Sequence, residues 1–192
     1  MTVDLHPTAR TVARLVTAIP DEALAGPTPC PEYTVADLLV HVGGLSQAFR
    51  LAATKDNDGD VPPAPDGADL GEGWRDRIGM DLRAVALAWA EPDAWTGMTR
   101  AGGVDLPGEV AGLVALDELV VHGWDLARAT GQPYEVDPAA LDAIQAFLAP
   151  MADGDGTPGL FGPPVPVPAD APLLDRTLGL AGRDPAWSPT RA

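Results

Sequence analysis

The sequence predicts an all-α protein: a four-helix bundle with a long loop between two of its helices and a Pro/Gly-rich C-terminal tail. Apolar residues recur at helical spacing through most of the first 150 positions. The one stretch with strand character, 95–108, is short and interrupted by glycines. The chain has 192 residues, of which 46% are hydrophobic, enough for a single core. Together these observations favour one helical domain.

Two helices are predicted in the first third of the chain. Apolar residues at helical spacing predict the first over 8–19, and Pro20 ends it. Thr34 is a good N-cap for the second, over about 34–53, where apolar residues follow one another at intervals of three and four. The next stretch, 54–73, has no periodicity and is rich in aspartate and proline, so it is predicted to be a long acidic loop.

Three further helices complete the predicted body of the protein. The third covers roughly 73–90, and the stretch 95–108 after it is expected to be an extended excursion or a short hairpin outside the bundle. The fourth runs from 107 to 130 and is followed by Gly131, a residue typical of helix C-termini. The fifth covers about 138–150. The fourth helix is apolar nearly all round, which predicts that it is largely buried.

The domain organisation predicted is a helical bundle over 1–150 and a tail over 151–192. Val165 and Val167 alternate with prolines in a stiff extended segment. Leucines at helical spacing follow near 173–178. We therefore expect the tail to pack back on the bundle and to contain one short final helix.

The charge balance limits the classes of partner. Twelve Lys and Arg against 28 Asp and Glu give a formal net charge of −16, which repels nucleic-acid phosphates and anionic lipids. We expect a small-molecule substrate, no nucleic acid and no membrane; the oligomeric state is left open. The single cysteine, Cys30, excludes an internal disulfide, and the first residues lack the apolar run of a secretory signal. The expected location is cytoplasmic.

A polar stripe interrupts the apolar surface of the fourth helix. Glu118, His122 and Asp125 stand at positions i, i+4 and i+7, on one face with several alanines. Burying a carboxylate beside an imidazole costs several kcal/mol unless a partner or a metal compensates. Glu118 and His122 lie one helical turn apart, so they can converge on one cation; a simple helical ion pair is the alternative.

His41 is the counterpart on the second helix. It lies at the flank of that helix's apolar stripe and can point toward a neighbouring helix, although alone it would be an ordinary histidine at a helix edge. With Glu118 and His122 it forms a set of two histidines and one carboxylate. Such a set leaves coordination positions open, as catalytic zinc sites do, and it also suits iron(II) or another divalent metal.

Other residues are candidates for supporting roles. Asp125 is expected in the second shell of the metal, where it orients His122 or pairs with Arg128. Cys30, between two prolines, is interpreted as a small packing residue, with a fourth metal ligand or a reactive thiol as alternatives. The substrate pocket is expected to be apolar, lined by Phe49, Trp74, Trp124 and Phe161.

Three segments together resemble a known family. TPCPEYTVADLLVHVGGL, LPGEVAGLVALDELVVHGWDLARATGQ and FGPPVPVPADAPLLDRTLGLAGRDPAW are similar to DinB-like bundles of small actinobacterial proteins related to mycothiol-dependent maleylpyruvate isomerase. The resemblance implies a DinB-like four-helix bundle with zinc held by His41, Glu118 and His122. It also implies a low-molecular-weight thiol such as mycothiol as co-substrate. The isomerase has a separate C-terminal domain, where this chain has a Pro-rich tail.

The leading functional hypothesis is a zinc-dependent enzyme that uses such a thiol for S-transfer to an electrophile or for cis–trans isomerisation of a small conjugated compound. A thiol with an ordinary pKa near 8.5 becomes a nucleophilic thiolate on zinc. The first alternative is a thiol-independent hydrolase or isomerase that uses water at the same metal. A non-catalytic metal- or metabolite-binding protein is a further alternative, and a structural protein with a buried Glu–His pair is the simplest one.

Overall fold

The computed structural model describes residues 2–56, 63–151 and 162–189. Part of the predicted acidic loop, 57–62, and the pocket candidate Phe161 lie outside them. In the described part, two strands form a hairpin, β1 (Met98–Ala101) and β2 (Val104–Pro107). The helices are α1 (His6–Ala18), α2 (Val35–Thr54), α3 (Trp74–Trp89), α4 (Gly108–Thr130), α5 (Pro138–Leu148) and α6 (Leu173–Leu180).

The first four helices form the bundle. Both α1 and α2 pack against α3 and α4, so α1 and α2 stand at opposite corners and the core lies among the four. The all-α, DinB-like fold class is confirmed, and the first five helices begin and end within two residues of the predicted bounds. None of the helices in the described ranges has the length and apolarity to cross a membrane.

Local signals explain where the helices begin and end. The backbone N–H of Thr34 donates to Asp37 Oδ2 at 2.8 Å, and the N–H of Asp37 donates to Thr34 Oγ1 at 3.2 Å, a capping box that starts α2. Asp37 Oδ1 also accepts from the Gly67 N–H at 2.7 Å, which attaches the end of the long loop to α2. Gly131 ends α4 with a φ of 68°, in the left-handed region that favours glycine.

The stretch 95–108, predicted to be an extended excursion or a short hairpin, contains the short hairpin. Gly102 and Gly103 connect the strands, and both have positive φ, as a tight two-residue hairpin turn requires. Thr99 Oγ1 donates to the Ala52 carbonyl at 2.6 Å, so the hairpin is fixed to the C-terminal end of α2.

Beside the hairpin, α4 approaches two tryptophans closely. The Trp89 and Trp95 rings meet edge to face, with centroids 5.2 Å apart. The Trp95 indole N–H donates to the Trp89 carbonyl at 2.7 Å. A Cβ placed at Gly112 of α4 would lie 2.6 Å from the Trp95 ring. A glycine is therefore required at this crossing.

The described part of the tail, 162–189, contacts the bundle. The Val165 N–H donates to the Gly179 carbonyl at 2.8 Å, which joins the extended segment to α6, and α6 packs against α5. From α4, Arg128 donates to the Trp187 carbonyl through Nε at 3.2 Å. The predicted boundary near residue 150 stays a prediction, because 152–161 lie outside the described residues.

Gly112 and Gly44 provide a matched test of this packing. Gly112→Ala is expected to destabilise the protein by about 1–3 kcal/mol, because the new methyl group overlaps the buried Trp95 ring. Gly44→Ala, in the middle of α2 with nothing within 4 Å of the added Cβ, is expected to stabilise it by about 0.5–1 kcal/mol. Urea unfolding followed by circular dichroism measures both. Equal effects of the two substitutions would contradict the close approach.

Candidate metal centre

Helices α2 and α4 bring His41, Glu118 and His122 together. Nε2 of His122 lies 2.9 Å from Oε2 of Glu118, and Nε2 of His41 lies 3.8 Å from the same oxygen. One potential ligand atom from each of the three residues falls within 4.8 Å of the other two. The two imidazole rings meet edge to face, with centroids 4.8 Å apart.

These separations fit a small divalent metal ion. Zinc bonds of about 2.0–2.1 Å at tetrahedral angles place neighbouring ligand atoms about 3.3 Å apart. The two Nε2–Oε2 distances, 2.9 and 3.8 Å, lie on either side of that value. The donor set, two imidazole nitrogens and one carboxylate oxygen, is one that zinc accepts. Coordination would therefore need each nitrogen–oxygen separation to change by about 0.5 Å, and the two imidazole nitrogens, within 4.8 Å of each other, to approach by up to about 1.5 Å.

Exposure increases across the cluster in one direction. The side chain of His122 is 8% exposed, that of Glu118 16% and that of His41 29%. The Tyr33 ring lies beside His41, with centroids 5.5 Å apart. The side of the cluster at His41 and Tyr33 is thus its most exposed side.

Asp125 lies behind His122, on the side away from Glu118. Its carboxylate is fully buried, and Oδ2 accepts a hydrogen bond from Nδ1 of His122 at 3.0 Å. A proton held on Nδ1 leaves Nε2 directed at Glu118 and His41. Of the two alternatives predicted for Asp125, the structure shows the contact with His122; the arginine that pairs with Asp125 is Arg183 of the tail, at 3.1 Å, while Arg128 binds the Trp187 carbonyl. The guanidinium from the tail reaches both carboxylate oxygens, and Arg128 is already used in holding the tail.

The charges in the cluster stabilise one another. Burial raises the pKa of Glu118, but the hydrogen bond from His122 and the closeness of the His41 imidazole outweigh it and hold that pKa far below its usual range. Burial lowers the pKa of His122, but hydrogen bonds to Asp125 and Glu118 outweigh it and raise the pKa to about 9. Without a metal, Glu118 is therefore ionised and His122 protonated at neutral pH.

Asp117 is a second buried carboxyl group beside the cluster. The residue is only 2% exposed, and its Oδ1 has no hydrogen-bond partner. Burial and the nearby charge of Glu118 raise its pKa to about 8. Asp117 is thus neutral at pH 7, which avoids placing another negative charge in the interior.

Cys30 is half-buried and is not among the three clustered residues, at least in the part of the chain that the structure describes. Its backbone N–H donates to Thr28 Oγ1 at 3.1 Å, within the turn before α2. Burial raises the pKa of its thiol, although the charge of Arg183 acts in the opposite direction. These features agree with a packing residue better than with a fourth ligand.

The apolar residues predicted to line a substrate pocket lie in different surroundings. Phe49 is 8% exposed in the core, where its carbonyl accepts the Trp89 indole N–H. Trp124 is 4% exposed, with the Arg128 guanidinium 5.8 Å from its ring centre. Their role in a pocket stays a prediction. Trp74 lines a groove of about 550 Å³ together with Asp21, Leu24, Ala25, Thr34, Ala36, Gly67, Leu70 and Gly71.

Sequence reasoning missed two residues beside the cluster, Tyr33 and Arg183. Tyr33 directly precedes the N-cap of α2, and an aromatic residue there is a weak signal. Arg183 is 58 residues from its partner Asp125, so no helical spacing relates them. The available signal was an acid on a helix predicted to be buried, which indicates that a cation compensates its charge but not which cation.

Asp117 gives a pH-dependent prediction for the protein freed of metal with a chelator. The pKa of Asp117 is about 8 in the folded state against 3.8 for an unperturbed aspartate, so the unfolded chain ionises first and stability falls as pH rises from about 4 to 8. Asp117→Asn removes the ionisable group and with it this fall in stability as pH rises. We expect the variant to gain about 1–3 kcal/mol over the wild type at pH 8 and nothing at pH 4. Urea unfolding at the two pH values measures this.

Asp142→Asn, at an exposed position of α5, serves as the control and is expected to change stability by less than about 0.5 kcal/mol at either pH. A gain for Asp117→Asn that was the same at pH 4 and pH 8 would show that the carboxyl group is not kept neutral by burial.

Comparison with known proteins agrees with this architecture. Over 180 residues the chain is 33% identical to an uncharacterized protein of Mycobacterium tuberculosis strain H37Rv and equally to its counterpart in strain CDC 1551, covering 89% of this chain and 91% of each relative. The crystal structure of the mycothiol-dependent maleylpyruvate isomerase superposes with a TM-score of 0.60 at 17% identity, covering 79% of this chain and 71% of that one. A histidine-to-alanine mutant of the isomerase gives 0.58 at 16% identity, with the same coverage.

At this identity the structural match shows a shared fold. Residues 5–127, which contain α1 to α3, the hairpin and all three clustered residues, match the model of a protein family. The chain belongs to the family of the mycothiol maleylpyruvate isomerase N-terminal domain.

Proposed function

We propose that the protein is a zinc-dependent enzyme that uses a low-molecular-weight thiol such as mycothiol, either for S-transfer to a small electrophile or for its cis–trans isomerisation. The observation that carries the proposal is the convergence of His41, Glu118 and His122, whose potential ligand atoms lie within 4.8 Å of one another. Three protein ligands leave a position open for a reactant, as in catalytic zinc sites.

The family supports the choice of a thiol. The isomerase that shares the fold is mycothiol-dependent by its name, and the matched family takes its name from the same enzyme. The residues of the cluster are compatible with this chemistry. Two neutral imidazoles and one carboxylate leave a single net positive charge on a bound zinc ion, which favours an anionic ligand over a neutral one.

The chain's own residues provide binding and orientation. Asp125 holds a proton on Nδ1 of His122, so that Nε2 is available as a ligand atom. Glu118 is ionised and contributes the negative charge of the ligand set. When bound, zinc would lower the pKa of a thiol in the open position and so provide a nucleophile at neutral pH. The exposed side at His41 and Tyr33 is where the thiol and the electrophile would enter.

The two reactions differ in what happens to the thiol. In S-transfer the thiol loses its proton and its sulfur stays bonded to the electrophilic carbon, while either a leaving group departs from that carbon or, at a conjugated double bond, the neighbouring carbon takes up a proton. One thiol is consumed for each product. In isomerisation the sulfur adds to a conjugated double bond, the resulting single bond rotates, and the sulfur leaves again. The consumption of thiol per product therefore distinguishes the two.

Metal binding is the first test. Metal-free protein is expected to bind one zinc ion, and His122→Ala is expected to abolish binding while retaining helical circular dichroism, because apolar packing dominates helix stability. His6→Ala removes the remaining histidine, which pairs with Asp4 near the N-terminus, and is expected to bind normally. Isothermal titration calorimetry measures each. Retention of zinc by His122→Ala would contradict the site.

The pH dependence of binding follows from the pKa of His122. Because the metal must replace a proton on His122 and the pKa is about 9, zinc binding at pH 7 is expected to release about one proton. As pH rises from 7 toward 8.5, apparent affinity is expected to increase about tenfold per unit. Calorimetry in buffers of different ionisation enthalpy counts the protons. A value of zero would show that His122 is already neutral before the metal arrives.

Thiol dependence is the second test. Zinc-loaded protein is incubated with mycothiol and either maleylpyruvate or a neutral conjugated electrophile, and substrate, product and free thiol are followed by chromatography. We expect turnover only with the reduced thiol, and none with mycothiol disulfide or with His122→Ala. Turnover without thiol would support water as the reactant instead, and zinc binding without turnover of either substrate would support a binding protein.

A further inference from the structure

The C-terminal tail contributes one charged side chain to the surroundings of the cluster. Arg183 follows α6, and its side chain is 16% exposed. Its Nε lies 3.1 Å from Oδ1 and 3.2 Å from Oδ2 of Asp125, and its Nη2 lies 3.1 Å from Oδ2. The guanidinium therefore holds both oxygens of a carboxylate that is completely buried.

The same carboxylate orients His122. Oδ2 of Asp125 accepts from both Arg183 and Nδ1 of His122, the latter at 3.0 Å. A carboxylate held by one hydrogen bond can turn about its last side-chain bond. A carboxylate held at both oxygens by a planar guanidinium cannot turn without losing those bonds. Arg183 thereby fixes the orientation of the Asp125 carboxylate, and with it the direction of the hydrogen bond to His122.

We propose that Arg183 is a positioning residue for the metal centre, which acts through Asp125 to hold Nε2 of His122 toward Glu118 and His41. This inference rests on the proposed zinc site. It gives the tail, 162–189, a role in metal affinity although no tail residue is among the three clustered ones. Because zinc binding and docking of the tail would be thermodynamically linked, zinc would in turn strengthen the attachment of the tail.

A second arginine separates this role from simple attachment of the tail. Arg128 also joins α4 to the tail, through the carbonyls of Trp187 at 3.2 Å and Pro185 at 3.4 Å. It is exposed and bonds to the tail backbone, whereas Arg183 bonds to Asp125. Arg128→Met and Arg183→Met each remove one arginine link between tail and bundle. Only the second removes the contact with Asp125.

Replacing Arg183 has two opposite effects on zinc affinity, one through its charge and one through the orientation of Asp125. Arg183→Met removes a positive charge near the metal, which by itself would favour a cation, while it releases Asp125, which disfavours the metal. Arg183→Lys keeps the charge but loses the planar, two-oxygen contact. A lower affinity in Arg183→Met together with partial recovery in Arg183→Lys therefore shows a positioning role.

The experiment measures zinc affinity by chelator competition for the wild type and the three variants, and the visible spectrum of each with cobalt(II) in place of zinc. We expect the zinc Kd to weaken about 10–100-fold in Arg183→Met, less in Arg183→Lys, and by less than about twofold in Arg128→Met. The cobalt spectrum should change in Arg183→Met alone. Zinc should also slow hydrogen exchange in 173–187 of the wild type, and much less in Arg183→Met.

The outcomes separate this inference from the proposed function. Zinc binding by Arg183→Met that is as tight as in the wild type, or tighter, overturns the positioning role and leaves the metal site in place. Equal losses in Arg128→Met and Arg183→Met overturn it too, because attachment of the tail alone would then explain both. A wild-type protein that binds no zinc overturns the metal site and the inference together.

Discussion

The structure depends on how charge is compensated along one face of α4. Glu118, His122 and Asp125 lie on a helix whose remaining surface is largely apolar and buried, where an unpaired charge costs several kcal/mol. Each has a partner of opposite charge: Glu118 faces both histidines, His122 lies between two carboxylates, and Asp125 meets Arg183. Two segments distant in sequence, α2 and the tail, must pack near α4 to provide His41 and Arg183 as partners. Asp117, next to them, has no such partner and is kept neutral instead.

This constraint connects the packing of the bundle to the site. His41 reaches Glu118 because α2 and α4 are neighbours, with α1 at the opposite corner from α2. Close approaches at glycine help to fix the position of α4. At Gly112 it meets Trp95, and at Gly123 an added Cβ would lie 2.6 Å from the Tyr134 hydroxyl. The Tyr134 hydroxyl donates to the Val120 carbonyl at 2.8 Å, two residues before His122. Packing of small residues thus holds the helix that carries two of the three clustered residues.

What could be predicted from the sequence was mostly local. Periodicity and caps such as Thr34 locate the helices, because these signals operate within a few residues. The relation of Glu118 to His122 is one helical turn, so spacing alone brings them together. The place of His41 needed more than its own helix: its position at the flank of an apolar stripe allowed it to face a neighbouring helix, and the family resemblance agreed with that. The pairing of Asp125 with Arg183 spans 58 residues and depends on where the tail docks, so the nearby Arg128 was the only arginine that spacing suggested for it.

The surroundings of the cluster combine residues of a buried helix with a residue of a surface turn. Glu118, His122 and Asp125 lie within eight consecutive residues of one long, buried helix, so their mutual geometry changes little. Tyr33, by contrast, belongs to the turn before α2, beside the partly exposed His41. Surface turns accept substitutions that a packed helix does not. A substitution at Tyr33 would therefore alter what borders the partly exposed side of the cluster, while Glu118 and His122 stay where α4 puts them.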